Sequence, residues 1–168
     1  MMPFKSKLIG RVTLLLLVVA ALSACVTYAP SQSFIGKSRH EVVSLMGQPF
    51  REVALDDGSR LVYPRGPYGL HTYFIELDAA GQVRRWEQVL TEKNFSQIMP
   101  GMRTEEVLAR IGESRAQFGL ARERGFVWNY RYVTPFCQWF QIEFDKEGVV
   151  RSTGYGPSPE CRRARPVR

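Results

Sequence analysis

Residues Ile75–Val83 read IELDAAGQV, and Ile142–Val150 read IEFDKEGVV. Each has an alternating apolar and polar run, a turn opened by Asp and closed by Gly, and a new run opened by Val. Period-two alternation marks a half-buried strand. An Asp followed three residues on by a Gly marks a tight turn, because the carboxylate bonds back to its own backbone and Gly takes a positive φ freely. One hairpin written twice in 168 residues predicts a duplicated unit. Neighbouring sequence extends the match. Gly36–Gly47 (GKSRHEVVSLMG) lies over Gly101–Gly112 (GMRTEEVLARIG) at an offset of 65, and Leu61 and Tyr63 fall on Phe126 and Trp128 at that offset. Ile75, Glu76, Asp78, Gly81, Val83 and Arg84 fall on Ile142, Glu143, Asp145, Gly148, Val150 and Arg151 at an offset of 67. The second copy is thus expected to carry two extra residues between its second and third strands.

Each copy reads as a helix followed by strands. Val42, Leu45 and Met46, and later Val107 and Ile111, recur at helical spacing. Gly47 and Gly112 stop the helices. Ser38 and Glu41 have the spacing of a capping box, which Arg103 interrupts in the second copy. Leu90–Ile98 predicts a further short helix before the Pro100–Gly101 turn, for which APSQSF (Ala29–Phe34) leaves little room in the first copy. The run REVALDDGSRLVY predicts a hairpin turning at Asp57–Gly58. In the second copy strands are expected near 115–121, 125–133, 137–145 and 148–155. Alternation sets Tyr73, Ile75 and Leu77 against Phe74, Glu76 and Asp78, and Phe140, Ile142 and Phe144 against Trp139, Gln141 and Glu143. The aliphatic set is expected to face the helices. The other face, with Phe74 and Trp139 among polar groups, is expected to be open to a partner. The loop PRGPYGL (Pro64–Leu70) offers Arg65 and Tyr68, residue types that anchor interfaces.

The amino terminus is expected to be an export signal. Lys5, Lys7 and Arg11 precede an apolar run, Val12–Leu22, that suits a signal peptide and is short for a bilayer span. LSAC (Leu22–Cys25) resembles the lipobox of bacterial lipoproteins. That resemblance implies cleavage before Cys25 and acylation of its thiol and new amino group; several acyl chains anchor firmly where one does not. Val26 after the Cys, in place of an inner-membrane retention Asp, points to the outer membrane of a Gram-negative cell, facing the periplasm. Export also turns the reading away from nucleic acid, despite a net charge of +7. Between Cys25 and Cys161 there are 16 Lys and Arg against 16 Asp and Glu. The excess sits in the leader and in a C-terminal tail with Arg162, Arg163, Arg165 and Arg168, which is either a lipid contact or a solvated end. In an oxidising compartment Cys137 and Cys161 are expected to pair, the alternative being two separate thiols.

The stretch NFSQIMPGMRTEEVLARIGES (Asn94–Ser114) resembles the BamE (SmpA/OmlA) family through Gly101, Met102, Glu106–Val107 and Ile111–Gly112. The first copy offers Gly36, Ser38, Glu41–Val42, Met46, Gly47 and Pro49. The aromatic strand Trp128–Tyr132 and the strand ends Leu77–Val83 and Phe144–Val149 fit the same pattern. The resemblance implies an α+β fold: two tandem helix-turn-helix plus antiparallel β-sheet units, each sheet packed on helices on one face. Tandem units of this kind also resemble the β-lactamase inhibitory protein. The expected organisation is a lipoprotein signal peptide (1–24), a lipidated linker (25–33), repeat 1 (34–90), repeat 2 (91–161) and a basic tail (162–168).

The function expected is a non-enzymatic outer-membrane lipoprotein that binds an envelope protein through its sheet face and loops. The family resemblance implies a link to the β-barrel assembly machinery. The alternative is a periplasmic inhibitor or a ligand- or lipid-binding module. His40 and His71 are placed as surface residues, and no G-x-S-x-G, H-E-x-x-H or C-x-x-C pattern occurs. The pairs Glu76/Asp78 and Glu143/Asp145 sit beside turns on an expected solvent face, which favours structural duty over acid–base chemistry. No metal or cofactor is expected beyond the lipid on Cys25.

Overall fold

The computed structural model describes residues 26–120 and 124–162, without the side chains of 161 and 162. It is mostly β. Strands β1 (Arg51–Leu55), β2 (Gly58–Arg65), β3 (His71–Asp78) and β4 (Val83–Gln88) form one antiparallel meander. Strands β5 (Ala116–Leu120), β6 (Gly125–Tyr130), β7 (Gln138–Phe144) and β8 (Val150–Pro157) form a separate one in the same order. The helices are α1 (Arg39–Met46), α2 (Glu92–Phe95), α3 (Thr104–Ile111) and α4 (Pro159–Arg162).

The expected pair of helix-turn-helix plus sheet units does not hold. A three-residue 3-10 turn, Gln32–Phe34, stands ahead of α1, and the four-residue α2 stands ahead of α3. Neither segment is long enough to hold a helix by itself. Their apolar residues, Phe34 and Phe95, are single buried plugs beside sheets that supply most of the core.

The duplicated phrase has a physical reason. Asp78 Oδ1 accepts from the N–H groups of Ala80 and Gln82, both at 2.9 Å. Asp145 Oδ1 accepts from Glu147 and Val149 at 3.0 and 2.8 Å. Each turn then holds the start of its helix. Arg39 N–H donates to Gly81 O and Thr104 N–H to Gly148 O, both at 2.9 Å. The helix ends are tied as well: Tyr63 Oη donates to Gly47 O at 3.0 Å, and Tyr130 Oη to Gly112 O at 2.9 Å. Ser38 and Glu41 close the capping box. In the second copy Arg103 N–H still donates to Glu106 Oε2 at 2.9 Å, so half of that box survives without a hydroxyl.

These pairs relocate the insertion. Tyr63 corresponds to Tyr130 and Leu61 to Trp128, since Leu61 faces Ile75 and Trp128 faces Ile142 in their ladders. The second strands therefore already carry the offset of 67. Val62 faces Arg51 and Asn129 faces Ala116, so the first strands keep 65. The two extra residues lie in the β5–β6 turn, not between the second and third strands. Gly58 and Gly125 open equivalent strands just after that turn. A Cβ on either would sit 2.0 Å from Leu77 O or 2.2 Å from Phe144 O. Gly125→Ala is expected to cost about 1–3 kcal/mol by forcing β6 away from β7, measured as a lowered thermal midpoint.

The sheets are covered differently. The first sheet packs Leu61, Tyr63, Ile75 and Leu77 on Val42 and Met46 of α1. Its other face places Val62 and Phe74 in one cluster with Val107 and Ile111 of α3. Both faces of the first sheet are thus buried, which corrects the expectation of helices on one side. The second sheet buries Trp128, Tyr130, Phe140, Ile142 and Phe144 in the cluster that holds α2 and α3.

Glu76 records this difference. It was expected at solvent, yet it is 4% exposed. Its carboxylate accepts from Arg60 Nη2 at 2.7 Å, from Arg85 Nε and Nη2 at 2.8 Å, and from Arg84 Nη2 at 3.2 Å. Arg60 also donates to Ala109 O of α3 at 2.8 Å and lies 4.6 Å over the Phe74 ring. Hydrogen bonds from Arg85, then Arg60, pull the Glu76 carboxyl down to about 2 against the opposing effect of burial. Its counterpart Glu143 is half-exposed and meets Arg151 at 3.7 Å. Val127 stands where the first copy has Arg60.

Candidate interaction surfaces

Among the described residues, the second sheet leaves part of one face uncovered. Pairing places Phe118, Val127, Gln141, Glu143 and Ser152 on that face. Phe118 is 59% exposed, and Val127, Gln141 and Glu143 are half-buried. A Cβ on Gly156 would lie 2.2 Å from Gln141 Oε1, so the Gln141 amide rests flat on a glycine across the strand. The same amide donates to Asn129 Oδ1 at 2.5 Å, which orders the polar part of this face.

One end of the face is roofed by the Pro64–Leu70 loop. Tyr68 takes the left-handed conformation (φ 55°, ψ 24°), uncommon for a residue with a Cβ. This brings its ring 5.4 Å from that of Trp139. Leu70, Trp139 and Phe136 then line a shallow cleft of about 250 Å³. Phe136 is 67% exposed at its rim, and the buried Trp139 Nε1 has no hydrogen-bond partner.

On the other side of the same loop lies a basic cleft of about 390 Å³, lined by Phe50, Arg65, Gly66, Tyr68 and Arg115 among others. The Arg115 guanidinium sits 4.8 Å over Phe50. Arg65 donates to Met46 O, lies 4.9 Å over Tyr63, and keeps a buried Nε without a partner. Next to this cleft Tyr28 Oη bonds His71 Nδ1 at 2.8 Å. Burial lowers the pKa of His71.

Of the four residues expected to contact a partner, Tyr68 is exposed and Arg65 half-buried at the cleft wall. Phe74 and Trp139 are 5% and 4% exposed and cannot supply open contact area, because α3 covers the first and Tyr68 the second. Cys137 is disulfide-bonded. Ser158 N–H donates to Cys137 O at 3.0 Å, so α4, which carries Cys161, begins beside it. The side chains of Cys161 and Arg162, and all of Cys25, Arg163, Arg165 and Arg168, lie outside the described residues. Among the described residues no three His, Cys, Asp or Glu side chains are grouped to hold a metal ion, and no helix is long and apolar enough to cross a membrane. Phe118, Phe50 and Arg115 escaped the sequence reading, since local alternation does not say which face of a strand is left uncovered.

No protein-family model matches this chain, and no curated protein does. Among solved structures, it is similar to an extracellular protein containing an SCP domain from Bacillus anthracis, at 16% identity and a TM-score of 0.30 over 80% of this chain. The chain spans about half, 47%, of that protein. It is also similar to a DUF4309 family protein (YjgB) from Bacillus subtilis, at 12% identity and a TM-score of 0.29, covering 78% of this chain and 88% of that one. Likenesses this distant carry no argument about function. The resemblance to the BamE family is overturned by the fold: two separate four-stranded sheets with few helices are not its tandem helix-and-sheet units.

Proposed function

We propose that this chain is a non-catalytic, lipid-anchored protein of the outer membrane, facing the periplasm, that holds an envelope protein on the open face of its second sheet. The observation that carries the reading is the sheet face left open among the described residues, with Phe118 59% exposed on it. A large exposed aromatic on an ordered, mixed polar surface is the kind of anchor that interfaces use. The lipobox-like LSAC supplies the anchor and the compartment. The link to β-barrel assembly rested on the family resemblance alone and loses its support with it.

A photo-crosslinking residue placed at Phe118 in intact cells tests the reading. One discrete protein adduct is expected, and it should vanish when Val127 is also changed to Glu. Adducts equally strong from a control position on the exposed turn at Ala79 would overturn it. Phe118→Ser is expected to change stability by less than about 0.5 kcal/mol, as for surface positions generally, so replacing Phe118 by the crosslinking residue should leave the fold intact.

A further inference from the structure

We infer that the basic cleft between Phe50, Arg65, Tyr68 and Arg115 is a docking surface for the anionic phospholipid headgroups of the bilayer in which the chain is anchored. The inference rests on the lipoprotein reading proposed above and adds the orientation of the globule on the membrane.

Three observations carry it. The first is where the described chain begins. Val26 lies against Gly47, whose Cβ position is 3.9 Å from Val26 Cγ1, and Thr27 N–H donates to Leu45 O at 2.6 Å. Tyr28 Oη is 2.8 Å from the Cβ position of Gly66, on the cleft wall. The entering chain is therefore fixed to this end of the molecule. A lipid anchor ahead of Val26, as proposed above, would hold the bilayer at this end.

The second observation is charge. The cleft lining holds two arginines and no carboxylate. Glu113, two residues before Arg115, is already engaged by Arg51 at 2.8 Å. Arg65 gives an Nη2 donor to Met46 O and keeps a buried Nε without a partner. A guanidinium presents several donors to phosphate oxygens, and basic side chains are drawn to an anionic membrane surface.

The third is the rim. Val26, Tyr28, Phe50 and Tyr68 are all exposed around this end. Tyr beside Arg is the composition that suits the headgroup layer, where a ring has one apolar and one wet edge. Docked this way, the cleft meets the headgroups while Arg151 lies at the opposite end of the second sheet, away from them.

The test uses the full processed chain reconstituted in vesicles, with chemical modification of Arg115 read against Arg151 by mass spectrometry. In phosphatidylethanolamine–phosphatidylglycerol vesicles, Arg115 modification is expected to be lost while Arg151 stays reactive. In phosphatidylcholine vesicles and in detergent both are expected to react. Equal reactivity of Arg115 in all three overturns the docking surface, and radiolabelled palmitate on Cys25 in the same sample would show that the anchor reading survives. Protection of Arg115 by inorganic phosphate in detergent would overturn it in favour of a free-anion site. Absence of palmitate from Cys25 overturns both, because no bilayer is then held beside the cleft.

Discussion

Glu76→Ala is expected to lose about 3–5 kcal/mol of stability, the usual consequence of removing one partner from a buried ionic group. Arg84 and Arg85 reach solvent, but Arg60 would lose its carboxylate with little access to water. Arg60 would be the worst placed, since it is largely buried between the first sheet and α3. The loss should appear as a lower urea midpoint with the slope unchanged, because the folded surface is otherwise the same. pH gives a second reading. The Glu76 carboxyl is held at about 2, against about 4.3 in an unfolded chain. A depressed carboxyl contributes fully above its unfolded value and loses that contribution as pH falls toward the folded one. We expect about 3 kcal/mol to drain away between roughly pH 4.3 and pH 2. Glu76→Gln should flatten this part of the stability–pH profile. A variant with wild-type acid sensitivity would show that Glu76 is not the group responsible.

Phe74→Ala is the other large effect, at about 3–5 kcal/mol. Phe74 shares a cluster with Val107 and Ile111, and its ring carbon Cε1 is 3.3 Å from the Cβ position of Gly112. Truncation opens a cavity where the first sheet meets α3, and a glycine wall offers no side chain to fill it. The sequence reading placed this ring on a partner surface, so the two assignments predict opposite results. A contact residue would change binding and leave the denaturation midpoint alone. A residue packed between the sheet and α3 moves the midpoint, and that is the expected outcome. Gly112→Ala should act in the same direction, because its φ of 75° is strained for Ala and its Cβ would press on Thr72 and Phe74.

Much of the local structure was legible. The Asp-to-Gly turns, the glycine helix stops and the Ser38–Glu41 cap each rest on chemistry within a few residues, and the structure has each of them. The position of the insertion was not legible. A shift of two residues returns every side chain to the same face, so the alternation of β6 reads equally well against β2 at 65 or 67. Only the cross-strand partner of Trp128, Ile142, chooses between them. The helix-turn-helix units that the resemblance implies are not formed, and residues 90–98 hold only the four-residue α2. The apolar spacing of residues 90–98 is as consistent with one short turn that plants Phe95 and Ile98 in the core.

By itself the sequence determined the hairpins, their turns and caps, and the fact that they are written twice, since these depend on neighbours along the chain. The tertiary structure alone decided what each face meets. α3 lies in one buried cluster with both sheets, and among the described residues no second helix of its length covers the far face of the second sheet. Equivalent residues thus came to different fates: Glu76 is buried among three arginines, and Glu143 is left half-open. Period-two patterning states that a strand has two faces, but burial is settled by residues distant in sequence, and no local pattern records which face they reach.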